Sequence, residues 1–216
     1  MSGLNILLAD DHRLVAHGVR KILEEQPDWH VIGQAADGRD AVRLAADLQP
    51  DVAVIDVSMP HLNGVEATAQ MSERVPGVKV LMLSMYADDA IVGRALRAGA
   101  RGYVLKDSAD TELVQAVTAV AAGGSFFSPP IVNHLLSEYV NRAGNRGSGD
   151  PLERLSPRER EVFQLVAEGH TNREMAQLLG VRPSTIETHR AHILEKLNLH
   201  NTAELVRFAA QRGVIK

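Results

Sequence analysis

The chain has 216 residues, of which 45% are hydrophobic and 23% charged, and its formal net charge is −4. This composition is ordinary for a soluble globular protein, and the length allows one large domain or two modest ones. The absence of cysteine excludes disulfides and thiolate metal sites and fits a reducing compartment. The apolar stretches are far shorter than the ~20 residues of a membrane helix, and the N-terminus MSGLNILLADDH lacks the basic region of a signal peptide. We therefore expect a cytoplasmic protein with no membrane partner.

Charge is distributed unevenly along the chain. Residues 1–123 contain 11 Lys+Arg and 17 Asp+Glu, a balance of −6, whereas residues 152–216 contain 10 and 8, a balance of +2. An acidic first part and a mildly basic last part predict two modules with different partners. The basic excess alone is too small to indicate nucleic-acid binding.

The first part alternates short β-branched apolar runs with longer stretches of helical period. Strands are predicted for LNILLA (4–9), HVIGQA (30–35), VAVID (52–56), KVLMLS (79–84) and GYVL (102–105), with helices over 12–25, 38–49, 64–75, 88–99 and 109–123. Such apolar strands are typical of a parallel sheet covered by helices on both faces. Five units in series predict an α/β fold with a doubly wound five-stranded parallel sheet, in the flavodoxin-like order 2-1-3-4-5.

A glycine-rich region separates the two parts. Gly123 and Gly124 end the last helix of the first part, and a short helix is predicted for PPIVNHLLSEYVNR (129–142). The segment AGNRGSGDP that follows has the composition of a linker. We predict a first domain over 1–123, a linker with a short helix over 124–151, and a second domain over 152–216.

The second domain is predicted to be all-helical, because the strand pattern ends at Leu155. Two short helices joined by a tight turn that contains glycine, with another helix packed behind, indicate a helix-turn-helix arrangement within a small four-helix domain. The start and stop signals are Ser156-Pro157 and Gly169 for the first helix, Thr171 and Gly180 for the second, Pro183 and about Leu197 for the third, and Asn201-Thr202 at the start of the fourth.

Polar side chains stand at the carboxyl ends of the predicted strands, where open parallel sheets bind ligands. Asp10 and Asp11 follow strand one, Asp56 ends strand three, Ser84 ends strand four and Lys106 follows strand five. The strand order brings strand one beside strand three, so the three carboxylates converge. Carboxylates at close range raise one another's pKa unless a cation lies among them, and Mg²⁺ prefers such oxygen ligands.

This cluster predicts a phosphorylation site. Asp56 is suited to act as a nucleophile that forms an aspartyl phosphate, and Lys106 and the Ser84 hydroxyl are suited to hold the other phosphoryl oxygens. A single aspartate at a strand end is more often a helix cap or a turn residue. Five such groups at matching strand ends favour the phosphorylation site over that alternative.

Residues 1–123 resemble a bacterial two-component receiver domain. The matching motifs are LLADDH, the D-x-x-M-P-x-x-x-G that starts at Asp56, LSM around Ser84 and GYVLKD around Lys106. The resemblance implies that Asp56 is the phosphoacceptor and that Ser84 and Tyr103 form a switch pair, whose ring moves inward when the hydroxyl follows the phosphoryl group. It also implies a Mg²⁺ site formed by Asp10, Asp11, Asp56 and the backbone carbonyl of Ser58.

Residues 155–211 resemble a LuxR-type DNA-binding domain along their whole length, and the entire chain resembles a response regulator of the NarL/FixJ type. At about 100° per residue, the third helix directs Ile186, Ile193 and Leu197 towards the core. Its opposite face would enter a major groove. The predicted DNA contacts, on this helix and at the start of the second, are Thr171, Asn172, Arg182, Ser184, Thr185, Glu187, Thr188, Arg190, Ala191, His192 and Lys196.

The base-reading chemistry of that face is unusual. The family often has lysine where this sequence has Glu187, and a carboxylate is unfavourable near phosphates. Glu187 can instead accept a hydrogen bond from a cytosine amino group, whereas Ala191 or the Thr188 methyl can contact a thymine methyl. A solvated residue at the rim of the interface is the alternative for Glu187.

The resemblance implies a regulator that is not an enzyme: a sensor histidine kinase phosphorylates Asp56, and this controls sequence-specific binding to double-stranded DNA and transcription. The fourth helix would form a homodimer contact on a palindromic promoter site, with RNA polymerase as a further partner.

Two alternatives remain open. One is a hydrolase or phosphotransferase that uses Asp56 on a small substrate, although the DxDx pattern of such phosphatases is absent. The other is a DNA-binding protein whose receiver serves only as a dimerisation scaffold.

Overall fold

The computed structural model describes residues 3–85, 88–132 and 150–215. The chain divides into two compact units, Met1–Asn145 and Arg146–Lys216. The predicted helix over 129–142 is helical where it is described, at 129–132; its remainder and the linker segment 143–149 lie outside the described residues. The predicted domain boundaries at 123 and 151 stay predictions.

The first unit is built on a parallel sheet. Its strands are β1 (Leu4–Ala9), β2 (Trp29–Ala35), β3 (Val52–Asp56), β4 (Lys79–Ser84), β5 (Gly102–Leu105) and β6 (Phe126–Phe127), in the order β2-β1-β3-β4-β5-β6. Every pairing is parallel. β3 is buried along its whole length, as its unbroken apolar run predicts for a central strand. The α/β fold class and the order of the first five strands are confirmed.

Five helices cover the two faces of the sheet: α1 (Arg13–Glu24), α2 (Gly38–Leu48), α3 (Gly64–Arg74), α4 (Asp89–Arg97) and α5 (Ala109–Ala121). Buried side chains of α2, α3 and α4 form one core with the sheet, and those of α1 and α5 form another on its second face. This two-sided burial is the doubly wound arrangement that the apolar periodicity predicts.

The prediction of a five-stranded sheet was wrong by one strand. Phe126 and Phe127 form β6, which pairs with Gly102 and Tyr103 of β5. The pairing continues in a hydrogen bond of 3.0 Å from the Ser128 N–H to the Tyr103 carbonyl. Two residues are too few to show the alternation of apolar and polar residues from which a strand is predicted. This edge strand forms because its backbone pairs with β5, which its own sequence does not reveal.

Over residues 150–215 the second unit contains four α-helices: α6 (Pro157–Ala167), α7 (Asn172–Leu179), α8 (Pro183–Leu197) and α9 (Thr202–Gln211). Capping boxes start α6 and α7, formed by Ser156 with Glu159 and by Thr171 with Glu174. Gly180 ends α7 in the left-handed conformation with φ +65°. The four predicted helices and their start signals are confirmed. Across residues 3–85, 88–132 and 150–215, none of the helices is long and apolar enough to cross a membrane.

The two sides of α8 differ as the helical period predicts. Ile186, Ile193 and Leu197 are buried in the core of the second unit, and Leu194 lies at its border. The opposite side is exposed and is called the outer face below; it consists of Ser184, Glu187, Thr188, Ala191, His192 and Glu195.

Candidate functional site

The carboxyl edge of the sheet brings Asp10, Asp56 and Lys106 together. Lys106 Nζ lies 2.7 Å from Asp10 Oδ2 and 2.9 Å from Asp56 Oδ2. The exposed fractions of the Asp10, Asp56 and Lys106 side chains are only 0%, 4% and 6%. Three charged groups from the ends of β1, β3 and β5 therefore meet below the surface, as the strand order predicts.

The loop after β3 holds Asp56 tightly against the start of α3. The Gly64 N–H donates to the Val57 carbonyl at 2.9 Å, and a Cβ atom on Gly64 would lie 2.1 Å from the Asp56 carbonyl oxygen. Only glycine allows this approach, which explains why the helix begins with it. The half-buried Ser58 donates its N–H to the Asp56 carboxylate.

The shared burial shifts the pKa values of both partners of the Asp56–Lys106 ion pair. Burial raises the pKa of Asp56 above its ordinary value, and repulsion from Asp10 adds to the rise, although the Lys106 ammonium opposes it. Burial acts to lower the pKa of Lys106, but the charge of Asp56 and the contacts with both carboxylates outweigh burial and raise it. Lys106 is thus held as a cation between two carboxylates.

The residues around Asp10 form a group that could hold a metal ion. Asp10, Asp11, His12 and Asp56 each offer one ligand atom, and these four atoms lie within 4.8 Å of one another. The buried Oδ2 atoms of Asp10 and Asp56 both contact the Lys106 ammonium, which offsets one of their two negative charges. Three carboxylates and one ammonium leave an excess of two negative charges when the His12 imidazole is neutral. A divalent cation with oxygen ligands fits this charge and donor set.

Ser84, the last residue of β4, and Tyr103, the second residue of β5, lie beside this cluster. Both are buried, and the Tyr103 ring is in the inward position. Burial raises the pKa of Tyr103 to about 12, the charges of Asp88 and Asp56 add to the rise, and a hydrogen bond with Ser84 acts against it. The phenol is therefore neutral near pH 7 and connected to the hydroxyl that ends β4.

In the second unit, most of the residues predicted to contact DNA are exposed. They lie on the outer face of α8, near its two ends (Arg182 and Lys196) or at the start of α7 (Thr171), whereas Asn172, Thr185 and Arg190 are half-buried. Neither Glu187 nor Glu195 has a side-chain partner among the described residues, although other carboxylates of the unit are paired. The face therefore carries two uncompensated carboxylates.

Two of the predicted DNA contacts, Arg190 and Lys196, have partners inside the unit. Arg190 donates to Asn172 Oδ1 at 2.9 Å and to Thr202 Oγ1 at 2.8 Å, which connects α7, α8 and α9. Lys196 Nζ donates to both oxygens of Glu159. Both side chains therefore have a structural role in connecting the helices, in addition to their predicted contacts with DNA.

Sequence reasoning missed the roles of His12 and Glu159. His12 follows the acid pair directly, and its Nδ1 lies 2.9 Å from Asp11 Oδ1. Glu159 lies in the first turn of α6, and its buried side chain also contacts Lys196. The signal for His12 was its place in ADDH; no signal in the sequence pairs Glu159 with a lysine on another helix.

Two family models match the chain. Residues 6–118 match the response regulator receiver domain, and residues 153–209 match the bacterial regulatory proteins of the luxR family. The first match covers β1 to β5 and most of their helices, and the second covers the four-helix unit except its last residues. A receiver domain implies a histidine kinase as partner, and a LuxR-type domain implies DNA.

Similarity also extends over the full chain. The oxygen regulatory protein NreC of Staphylococcus carnosus is 39% identical over 215 residues, covering 98% of this chain and 99% of that protein. A structure of the RcsB response regulator of Salmonella typhimurium is 29% identical, with a TM-score of 0.59, and covers 98% of this chain and 100% of that chain. An RcsB–DNA complex is 27% identical, with a TM-score of 0.58, and covers 96% and 98% of the two chains. The chain belongs to the NarL/FixJ-type response regulators of two-component systems, in which a receiver domain controls transcription through a LuxR-type DNA-binding domain.

Proposed function

We propose that Asp56 is the phosphoacceptor through which a sensor histidine kinase controls DNA binding by this protein. The observation that carries this proposal is the buried Asp56 carboxylate at the end of β3, in contact with Lys106 and close to Asp10. An Asp56 oxygen attacks the phosphorus of a phosphohistidine, the P–O bond forms as the P–N bond breaks, and the departing imidazole takes up a proton. Lys106 stabilises the negative charge on the transferred group.

Mg²⁺ is the ion that we assign to the acidic group. Asp10, Asp11, Asp56 and the backbone carbonyl of Ser58 would hold it, and when bound it neutralises charge on the phosphoryl oxygens. The excess of two negative charges at the site supports this assignment. Ser84 completes the site as a hydroxyl donor to a phosphoryl oxygen.

Ser84 and Tyr103 would carry the signal away from the site. Their hydrogen bond and the burial of both side chains join the end of β4 to β5. A phosphoryl group on Asp56 adds negative charge and new acceptor oxygens, which favour a Ser84 position turned towards it. Tyr103 would then be held inward, and the face formed by β4, β5 and their helices would change.

DNA contact is assigned to the outer face of α8 and the start of α7. Helix α8 would enter the major groove with Ser184, Glu187, Thr188, Ala191 and His192 towards the bases. Phosphates would be bound by Thr171, Asn172, Arg182, Arg190 and Lys196, with the amides at the start of α7, and Thr185 is a further DNA contact. The exposure of the outer face supports this arrangement.

The domain organisation, cellular location and assembly on DNA belong to the same proposal. Domains over 1–123 and 152–216, joined by a linker over 124–151, would act as sensor and effector in the cytoplasm, without enzymatic turnover of a small substrate. A homodimer through α9 would bind a palindromic promoter site, where RNA polymerase is a further partner. The RcsB–DNA complex, a structure of a related protein, supports DNA as the target.

The test is phosphorylation by a small phosphodonor in the presence of Mg²⁺. We expect wild type to acquire an acid-stable, base-labile phosphate and Asp56→Asn to acquire none. Asp107→Asn is the matched control, because Asp107 is an exposed acid next to Lys106 and should label as wild type does. Equal labelling of Asp56→Asn and wild type would reject Asp56 as the phosphoacceptor.

The phosphodonor assay, together with DNA footprinting, separates the two alternatives. Continuous turnover of an unrelated phosphoester would favour a hydrolase, and a protein that binds DNA equally with and without label would favour a scaffold role for the receiver. DNA footprinting of wild type and Asp56→Asn, each with and without phosphodonor, provides that comparison. We expect the phosphodonor to change the footprint of wild type only.

A further inference from the structure

His12 places an imidazole nitrogen among the carboxylates at the end of β1. Its Nδ1 lies 2.9 Å from Asp11 Oδ1 and 3.4 Å from Asp10 Oδ1. The His12 N–H also donates to Asp10 Oδ1 at 2.8 Å, which fixes the backbone of this residue relative to the acid pair. The backbone of His12 is therefore fixed beside the acid pair, and its side chain places Nδ1 against both carboxylates.

Neither helix capping nor core packing accounts for this side chain. It is the N-cap residue of α1, but its side chain makes no capping hydrogen bond. It is not a core residue, because 47% of its side chain is exposed. The side chain contacts Asp10 and Asp11, two of the residues assigned to the metal site.

The distances fit those between ligands of one small cation. With metal–ligand bonds of about 2.1 Å, two ligands at right angles are roughly 3.0 Å apart and two opposite ligands roughly 4.2 Å apart. Nδ1 lies 2.9 Å from Asp11 Oδ1 and 3.4 Å from Asp10 Oδ1, and both distances are close to the separation of adjacent ligands. Nδ1 therefore occupies a position next to Asp10 and Asp11 in such a shell.

We propose that His12 Nδ1 is an additional ligand at this site for first-row transition ions such as Mn²⁺ and Co²⁺. Imidazole binds these ions well, whereas Mg²⁺ prefers oxygen and keeps its waters. Nδ1 binds through its lone pair with the ring proton on Nε2, so its contact with Asp11 is replaced by a shared ion. The proposal rests on the acidic metal site of the proposed function and adds selectivity for transition ions over Mg²⁺.

The direct test is pulsed electron paramagnetic resonance of Mn²⁺ bound to the full chain, which detects ¹⁴N nuclei bonded to the ion. We expect directly bonded ¹⁴N coupling in wild type, its loss in His12→Asn and its retention in His17→Asn. His17 is the matched control, because it is an exposed histidine on the same helix. Titration calorimetry should show about tenfold weaker Mn²⁺ and Co²⁺ binding in His12→Asn, with Mg²⁺ affinity unchanged within about twofold.

The outcomes separate the two proposals. Mn²⁺ bound without ¹⁴N coupling, but lost in Asp11→Asn, would overturn the role of His12 and leave the acidic site intact. Failure of wild type to bind either Mn²⁺ or Mg²⁺ would overturn both the metal site and the His12 ligand. An equal loss of Mg²⁺ and Mn²⁺ affinity in His12→Asn would also reject selectivity, because it indicates that His12 only positions the carboxylates. Folding of each variant is checked by the fluorescence of Trp29, the one tryptophan in the chain.

Discussion

Lys196 on α8 binds the carboxylate of Glu159 on α6, with Nζ 2.8 Å from Oε1 and 2.7 Å from Oε2. The same carboxylate accepts the N–H of Ser156 at 2.7 Å, so it closes the capping box of α6 as well. The Glu159 side chain is 5% exposed and that of Lys196 is 41% exposed. One buried charge therefore connects the start of α6 to the last turns of the helix assigned to the major groove.

This ion pair predicts acid sensitivity in the second unit. Burial acts to raise the pKa of Glu159, but the bonds from Lys196 and Ser156 outweigh it and lower that pKa to about 2. A carboxylate whose pKa is lowered on folding stabilises the fold at every pH above its pKa in the unfolded chain, which is near 4.5. That contribution is lost as the pH falls towards about 2, the pKa of Glu159 in the folded protein. Because Lys196 is partly exposed, we expect Glu159→Gln to cost about 1–2 kcal/mol at pH 7 and almost nothing near pH 2.

Hydrogen exchange of the full chain, followed in peptides of α6 and α8 between pH 3 and 7, measures this effect. Glutamine can still accept the Ser156 N–H, so the variant removes the charge and keeps the cap. Glu195→Gln is the control, because this exposed carboxylate has no partner among the described residues. A pH-independent difference between wild type and Glu159→Gln would indicate that packing, and not the charge, is what the substitution alters.

Lys106 predicts a link between stability and divalent cations in the first unit. Lys106→Met leaves Asp10 and Asp56 buried without their cation, and we expect a loss of about 3 kcal/mol in the free energy of unfolding in chelator. Added Mg²⁺ should stabilise the variant more than wild type, because no ammonium competes for the carboxylates. Urea unfolding followed by Trp29 fluorescence measures both quantities.

The control for this experiment is Lys21→Met, which removes a lysine that is 71% exposed on α1. Its free energy of unfolding should stay within about 0.5 kcal/mol of wild type. If Mg²⁺ stabilised Lys106→Met and wild type equally, Lys106 would not be competing with the cation for Asp10 and Asp56.

Gly64 predicts a steric link between α3 and the phosphoacceptor loop. In Gly64→Ala the new Cβ would lie 2.1 Å from the Asp56 carbonyl oxygen and 3.0 Å from its carbon, both backbone atoms. We expect a destabilisation of about 1–3 kcal/mol, with slower labelling of Asp56 by a phosphodonor. Gly18→Ala on α1 meets nothing within 4 Å and should instead stabilise the unit by about 0.5–1 kcal/mol. Equal effects of the two substitutions would rule out the predicted clash.

The parts of this molecule that were predictable from sequence are those set by local pattern and by topology. Four strands, β1, β3, β4 and β5, match the predicted residues because burial on both faces leaves continuous apolar runs. The meeting of Asp10 with Asp56 follows from the strand order alone. The exposed and buried sides of α8 follow from the helical period.

Pairings between helices were not predictable in this way. Lys196 and Glu159 are 37 residues apart, and their contact depends on how α6 and α8 pack. The bridge from Arg190 to Asn172 and Thr202 depends on three helices. The two-residue strand β6 depends on β5. In each case, which residues come into contact depends on how distant elements pack against each other, and no periodic pattern in the sequence encodes that packing.

Glu187 leads to the final prediction, which concerns DNA specificity. Its carboxylate is exposed on the outer face and has no partner among the described residues, so it is free to accept a hydrogen bond from a cytosine amino group. We expect Glu187→Lys to change the preferred base at one position of each half-site, from cytosine towards guanine. The change in discrimination there should be about 1–3 kcal/mol, measured by in vitro selection at fixed salt.

Glu195→Lys is the matched control, because it makes the same charge change on the same face about 12 Å further along the helix. Both variants should bind DNA more tightly and with a steeper salt dependence, because each replaces a negative charge near phosphates with a positive one. Only a base-reading residue also alters the selected sequence. If Glu187→Lys selected the wild-type sequence, with affinity raised as in Glu195→Lys, then Glu187 would be a solvated rim residue, and readout would fall to Thr188 and Ala191.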